Sequence, residues 1–208
     1  MTLIGALDHA SVLVFALTGA LVASRAQLDL VGFVFIACLT AFGGGTLRDV
    51  LINREAVFWI ADPGILAVPT LAAVLVFFTA HLLESRYKAL LWLDAFALAV
   101  AVPAGVAVAL DAGLGWPVVI LMGVATGCMG GLMRDVVCNE VPLVLKQGEL
   151  YVTAAFAGAL AAVALAGTGR ETALIGCAAA TFVLRAGSVA LGWRLPVYRP
   201  RPPRDGLR

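Results

Sequence analysis

Charge is scarce in this sequence: 13% of its 208 residues are Asp, Glu, Lys or Arg, against 62% hydrophobic, and the mean hydropathy is +1.01. A soluble globule of this size still shows a large water-facing area, and there is too little polar surface here to cover one. The solvent is therefore lipid, and no segment is left over for a separate soluble domain. No basic stripe interleaved with aromatics is present, so nothing in the chain suggests a nucleic-acid partner. The four cysteines, Cys38, Cys128, Cys138 and Cys177, form no CxxC pair and lie in apolar runs. They read as small hydrophobes rather than as disulfides or metal ligands. No Lys or Arg precedes the first apolar run, so a signal-peptide n-region is missing and the run reads as a retained helix. There is no Ser/His/Asp or Cys/His grouping with a plausible base, and no Gly-Lys-[Ser/Thr] follows the glycines near residue 45. The chain is not expected to be an enzyme.

Long apolar runs are what the sequence has instead. Seven are long enough to cross a bilayer: residues 3–24, 31–52, 64–83, 90–110, 117–138, 149–167 and 171–193. The expectation is an all-α membrane protein of seven transmembrane helices. Pro103, inside the fourth run, predicts a kink.

One signature occurs twice, 86 positions apart. Gly44-Gly45-Thr46-Leu47-Arg48-Asp49-Val50-Leu51-Ile52-Asn53 shares Gly, Gly, Arg, Asp, Val and Asn with Gly130-Gly131-Leu132-Met133-Arg134-Asp135-Val136-Val137-Cys138-Asn139. The same offset pairs Leu7-Asp8 with Leu93-Asp94, Gly19 with Gly105, Leu28 with Leu114 and Thr40 with Thr126. Residues 1–84 and 90–168 thus form two three-helix repeats, 171–193 is a seventh helix, and 194–208 is a basic tail. Three is odd, so the second repeat crosses the membrane in the opposite sense. Lys and Arg placement sets the orientation. With the C-terminus in the cytoplasm, that side receives Arg25, Arg86, Lys88, Lys146, Arg194, Arg199, Arg201, Arg204 and Arg208, and the outer side only Arg54 and Arg170.

Gly43, Gly44 and Gly45 in the second run, and Gly130 and Gly131 in the fifth, predict local unwinding or a sharp bend near the midplane. The alternative is close helix packing through small residues. Arg48, Asp49, Arg134 and Asp135 follow at membrane depth, where charges need partners or water. Neighbours in a helix point about 100° apart, so the expected pairs are crossed: Arg48 with Asp135 and Arg134 with Asp49. Asn53 and Asn139 are expected to extend each polar stripe along its helix. Arg185 stands alone in the seventh run, facing the same cavity, pairing across a subunit interface or snorkelling. Asp8 and Asp94 read as N-terminal caps, and Glu149 as a loop carboxylate. A channel, a secondary transporter and a structural clamp are all open on these residues alone.

The Gly-Gly-Gly-x-x-Arg-Asp-Val and Gly-Gly-x-x-Arg-Asp-Val-x-x-Asn-Glu-x-Pro pair, in a seven-span chain, resembles the prokaryotic branch of the TRIC family, trimeric intracellular cation channels whose prokaryotic members are also labelled glycine-transporter-like. The resemblance implies a homotrimer in the inner cell membrane with one pore per subunit, running between the repeats and permeable to K⁺ and other monovalent cations. It places pore and gating charges on Arg48, Asp49, Arg134 and Asp135. It asks for no cofactor beyond permeant K⁺ or Na⁺, and membrane lipid is the other partner. Animal members are similar to a Lys-Glu-Val pattern where this chain has Arg134-Asp135-Val136, a departure that puts phosphoinositide control in question. A transporter of a small amino acid such as glycine, with Arg on its carboxylate and Asp on its ammonium, is the alternative.

Overall fold

The computed structural model describes residues 3–83 and 85–198. Arg199, Arg201, Arg204 and Arg208 of the basic tail lie outside the described residues. The described chain is helical, without strands apart from one isolated antiparallel bridge between Glu149 and Arg194. Helix α1 covers Leu3–Arg25, α2 Leu30–Leu51, the single turn α3 Phe58–Ala61, and α4 Ala67–Thr79, which 3₁₀ turns extend to Pro63–Leu82. Helix α5 covers Arg86–Asp111, α6 Trp116–Val137, α7 Val152–Ala164 and α8 Arg170–Leu191. Six spans among the described residues are long and apolar enough to cross a membrane. The thirteen-residue α7 rises only about 20 Å, short of a hydrocarbon core of about 30 Å.

The all-α architecture is the one expected, and α7 is the helix expected at 149–167, with its regular part shorter at both ends. Its first residues serve another purpose. Leu143, Leu150 and Tyr151 are buried in an irregular approach to α7, where Leu150 N donates to Ser188 Oγ at 3.1 Å and Leu195 N to Gly148 O at 3.0 Å. Irregular backbone is tolerated at such depth where protein surrounds it and supplies partners. Helix α5 starts four residues earlier than expected because Ser85 caps it, accepting from Lys88 N at 3.3 Å. It runs through Pro103 without interruption.

Helices α1 and α5 form the centre. Their inward faces are built of Ala, Val and Gly, including Ala16, Ala20, Ala97, Ala101 and Ala104, all buried. Small side chains let helices approach closely where lipid tails give no hydrophobic drive to associate. Helix α1 packs on α2, α4 and α5; α5 packs on α1, α6, α7 and α8; α2 crosses α6. Large apolar side chains point outward instead, Phe35, Leu71, Phe78, Leu121 and Ile175 among them. In lipid that outward face is simply solvated.

The repeat is visible in how helices end. In α2 the chain stops in a Schellman turn: Asn53 N donates to Val50 O at 3.1 Å and Arg54 N to Asp49 O at 3.0 Å, with Asn53 at φ 53°. Helix α6 repeats this 86 residues on, Asn139 N to Val136 O at 3.1 Å and Glu140 N to Asp135 O at 2.8 Å, with Asn139 at φ 54°. The ends of α1 and α5 match in the same way, through Gln27 at φ 55° and Gly113 at φ 68°.

Candidate functional site

Two buried charge clusters sit at equivalent positions of the two repeats. In the first, Arg48 donates from Nε to Asp49 Oδ1 at 2.7 Å and from Nη1 to Asp8 Oδ1 at 3.0 Å. In the second, Arg134 donates from Nε to Asp135 Oδ1 at 2.8 Å and from Nη1 to Asp94 Oδ1 at 3.0 Å. The second oxygen of each motif aspartate accepts a backbone N–H from the following loop: Phe58 N for Asp49 and Leu143 N for Asp135, both at 2.9 Å. Both guanidiniums are fully buried. Charge-assisted bonds of this length are the strong kind. Two carboxylates on one arginine leave the second cluster with an excess negative charge, while in the first Arg54, 3.4 Å from Asp49 Oδ1, offsets it.

These contacts overturn the crossed pairing of Arg48 with Asp135 and Arg134 with Asp49. Each arginine pairs inside its own repeat. The helix rise explains why. Helices α2 and α6 cross around residues 42 and 128, so each arginine lies six residues beyond the crossing, toward opposite membrane surfaces; at 1.5 Å per residue the two are about 18 Å apart along the axes. Adjacency is no obstacle either, because Arg reaches Asp with its Nε, close to its own backbone.

Asp8 and Asp94 are not caps. Asp8 is the sixth residue of α1 and Asp94 the ninth of α5. Asp94 is fully buried and Asp8 nearly so. The signal that finds them is their repeat offset, which equals that of the Arg-Asp motif.

The expected unwinding at the glycines is absent: α2 and α6 are unbroken α-helix through Gly43–Gly45 and through Gly130 and Gly131. The glycines serve the crossing. A Cβ on Gly44 would strike Thr126 O of α6, and a Cβ on Gly130 would strike Thr40 O of α2. Thr40 and Thr126 are themselves repeat equivalents, so the contact is reciprocal. Gly43 faces Gly130 and Met133 across the same crossing. The remaining two glycines make room for rings beside the arginines. Gly45 abuts Phe58, whose ring lies 5.7 Å from Arg48 Cζ. Gly131 abuts Tyr151, and a Cβ there would meet Tyr151 OH at 2.9 Å, Arg134 Nη2 at 3.8 Å and Asp94 Oδ1 at 3.9 Å.

Asn53 and Asn139 do not extend a polar stripe. Both are exposed, lie beyond their helices and supply the left-handed residue of the terminating turn. Asn tolerates that conformation; a β-branched residue does not. Asn139→Val is expected to lower stability by about 1–2 kcal/mol and Asn139→Gly to leave it unchanged, as read by thermal unfolding of the detergent-solubilised protein.

Arg185 is neither alone nor snorkelling. It is fully buried on α8, donates from Nη1 to Glu149 Oε2 at 2.9 Å and lies over the Tyr151 ring, 5.0 Å from its centroid. Glu149 is therefore its counter-ion, not a free loop carboxylate. Tyr151 links this pair to the second cluster and has no counterpart in the first repeat, where Ile65 holds its position. Several buried polar atoms around these groups have no hydrogen-bond partner in the protein: Arg48 Nη2, Arg134 Nη2, and Nε and Nη2 of Arg185. The Tyr151 hydroxyl lies against the Asp94 carboxylate.

A cavity of about 400 Å³ lies beside the crossing, lined by α2 from Phe35 to Val50 together with Trp59 and Met133. No group of three or more His, Cys, Asp or Glu able to hold a metal exists among the described residues.

Comparison with known proteins agrees with this doubled architecture. The profile of a family described as Glycine transporter matches twice, over residues 5–81 and 91–167. The chain is 38% identical to a UPF0126 membrane protein of Vibrio cholerae over 203 residues, covering 92% of this chain and 81% of that one. It is 37% identical to the UPF0126 inner membrane protein YadS of Escherichia coli K12, with 74% of each covered. Among solved structures, a TRIC trimeric intracellular cation channel orthologue from Rhodobacter sphaeroides superposes with a TM-score of 0.88 at 43% identity, covering 92% of this chain and all of that one. A second, from work on conductance through TRIC cation channels, superposes at 0.84 with 26% identity, covering 97% of this chain and all of that one.

Proposed function

Because this chain belongs to the glycine-transporter family, the family of the TRIC channels, we propose that it is a cation channel of the cell membrane, permeable to K⁺, with a path inside each subunit between its two repeats. The observation that carries the reading is the pair of buried Asp-Arg-Asp clusters flanking the crossing of α2 and α6. Two carboxylates against one guanidinium give the Arg134 end of the path a negative excess, and the Arg48 end one when Arg54 leaves Asp49, which favours cations and repels anions. The arginines then hold the carboxylates in place rather than opposing permeation. Buried polar atoms without protein partners, Arg48 Nη2 and Arg134 Nη2 at opposite ends, are costly in lipid unless water reaches them. They support a wetted route past both clusters.

In this reading the close contact at Gly44 and Gly130 is the narrow part, Arg48, Asp49, Arg134 and Asp135 line its two mouths, and Arg185 holds Tyr151 against the inner one. The N-terminus is outside and the C-terminus cytoplasmic, as the Lys and Arg distribution favours. Three copies assemble, as in the R. sphaeroides orthologue, and lipid fills the outward apolar faces.

Purified protein in planar bilayers under a KCl gradient tests this. Ohmic unitary currents reversing near the K⁺ equilibrium potential are expected. Saturable glycine uptake without unitary current would overturn the channel and favour the transporter.

A further inference from the structure

The repeat relates Arg25 to Asp111 and Glu140 to Arg54: both members of a pair keep their places, and both reverse sign. One version of this pair is made. Arg25 at the end of α1 lies 3.2 Å from Glu140 beyond α6, and so clasps repeat one to repeat two at one membrane surface. Both side chains are under a third exposed, at 29% and 27%. Arg25 also lies over the Tyr87 ring, and Tyr87 OH is hydrogen-bonded to Lys146 Nζ.

At the other surface the equivalent residues are turned away from each other. Arg54 lies 3.4 Å from Asp49 Oδ1, a long contact, and Asp111 is held by Arg170 at the start of α8. Arg54 and Asp111 nevertheless line one cavity of about 230 Å³, with Ile52, Val108 and Ala112. Their side chains are 41% and 45% exposed, well above the closed pair.

We propose that Arg54 and Asp111 form a second clasp between the repeats, which closes this cavity and gates the mouth beside the Asp8–Arg48–Asp49 cluster. The open arrangement is held by the competing partners Asp49 and Arg170. Exposed ion pairs are individually weak, so exchange between them is easy and sensitive to salt. Arg54 is the natural mover, because its alternative partner Asp49 already receives Arg48 and a backbone N–H. When Arg54 leaves, Asp49 remains satisfied. The proposal rests on the channel reading for its consequence, but not for the contact itself.

The test uses the full-length R54C/D111C variant in planar bilayers, with R54C and D111C alone as controls. Two thiolates at one site chelate, so Cd²⁺ is expected to close the double variant at concentrations about tenfold or more below those acting on either single variant. Arg170→Ala, which frees Asp111, is expected to lower the open probability of the otherwise unchanged channel. Conducting channels whose double variant responds to Cd²⁺ like the singles would overturn the clasp. If the unmodified protein passes no current, the channel reading fails instead. The contact is then read chemically: a bifunctional thiol reagent should hold together tryptic fragments of R54C/D111C cut between the two positions, and fragments that separate as in the single variants would overturn it.

Discussion

Gly44→Val and Gly130→Val are expected to abolish the folded protein, and Gly44→Ala to come close. The first atom of any side chain at either position would meet a backbone carbonyl of the opposing helix, Thr126 O or Thr40 O. A flexible side chain could give way, but a carbonyl inside a hydrogen-bonded helix moves only with its helix. Overpacking normally costs roughly 1–3 kcal/mol, with more where nothing can yield. Here each added carbon forces apart α2 and α6, one of the two large contacts between the repeats. Gly167→Ala is the control, since a Cβ there meets nothing within 4 Å. Size-exclusion profiles and thermal unfolding in detergent read the result. A monodisperse Gly44→Val protein melting with the wild type would show that α2 and α6 do not cross here.

Arg134→Met is expected to destabilise by about 3–5 kcal/mol, the cost of leaving buried carboxylates without their cation. Asp94 and Asp135 would both be stranded, and Asp94 is fully buried. Adding Asp94→Asn should recover a measurable part of the loss, whereas Asp49→Asn, in the other cluster, should recover none. The first cluster is cushioned. Arg54 lies within reach of Asp49, and the side chain of Asp8 is 11% exposed, so Arg48→Met should cost less than Arg134→Met. Melting temperatures of the two single and two double variants decide this. Equal rescue by Asp94→Asn and Asp49→Asn would restore the crossed pairing to consideration.

Most of the architecture could be read from the sequence because lipid imposes one rule on every helix. Apolar length gave α1, α2, α6 and α8 to within a residue or two, and the 86-residue offset exposed the duplication. What length cannot see is a helix shortened by neighbouring protein, as at α7, where Glu149 and Tyr151 are drawn off to serve Arg185. The site was half legible. The Arg-Asp motif stood out because charge is rare at that depth, and so did the glycines. Partner choice escapes a sequence reading because it depends on where along the membrane each motif falls. Two antiparallel helices crossing at residues 42 and 128 carry their arginines away from one another, and that geometry is invisible in a string. Asp8 and Asp94 read as caps because they fall near helix starts, although they share the repeat offset of Arg48 and Arg134. Tyr151 breaks the repeat and so carried no signal.

Pairing each arginine within its own repeat has a consequence for how the protein is made. Residues up to 83 contain Asp8, Arg48, Asp49 and Arg54, two of each sign, joined in one chain of ion pairs. The first half can therefore leave the insertion machinery for the bilayer with no naked charge waiting for a partner still on the ribosome. Crossed pairs would oblige the nascent half to linger. A unit so self-sufficient is also one that a gene duplication could copy whole and insert upside down, with its deeply buried charges already paired.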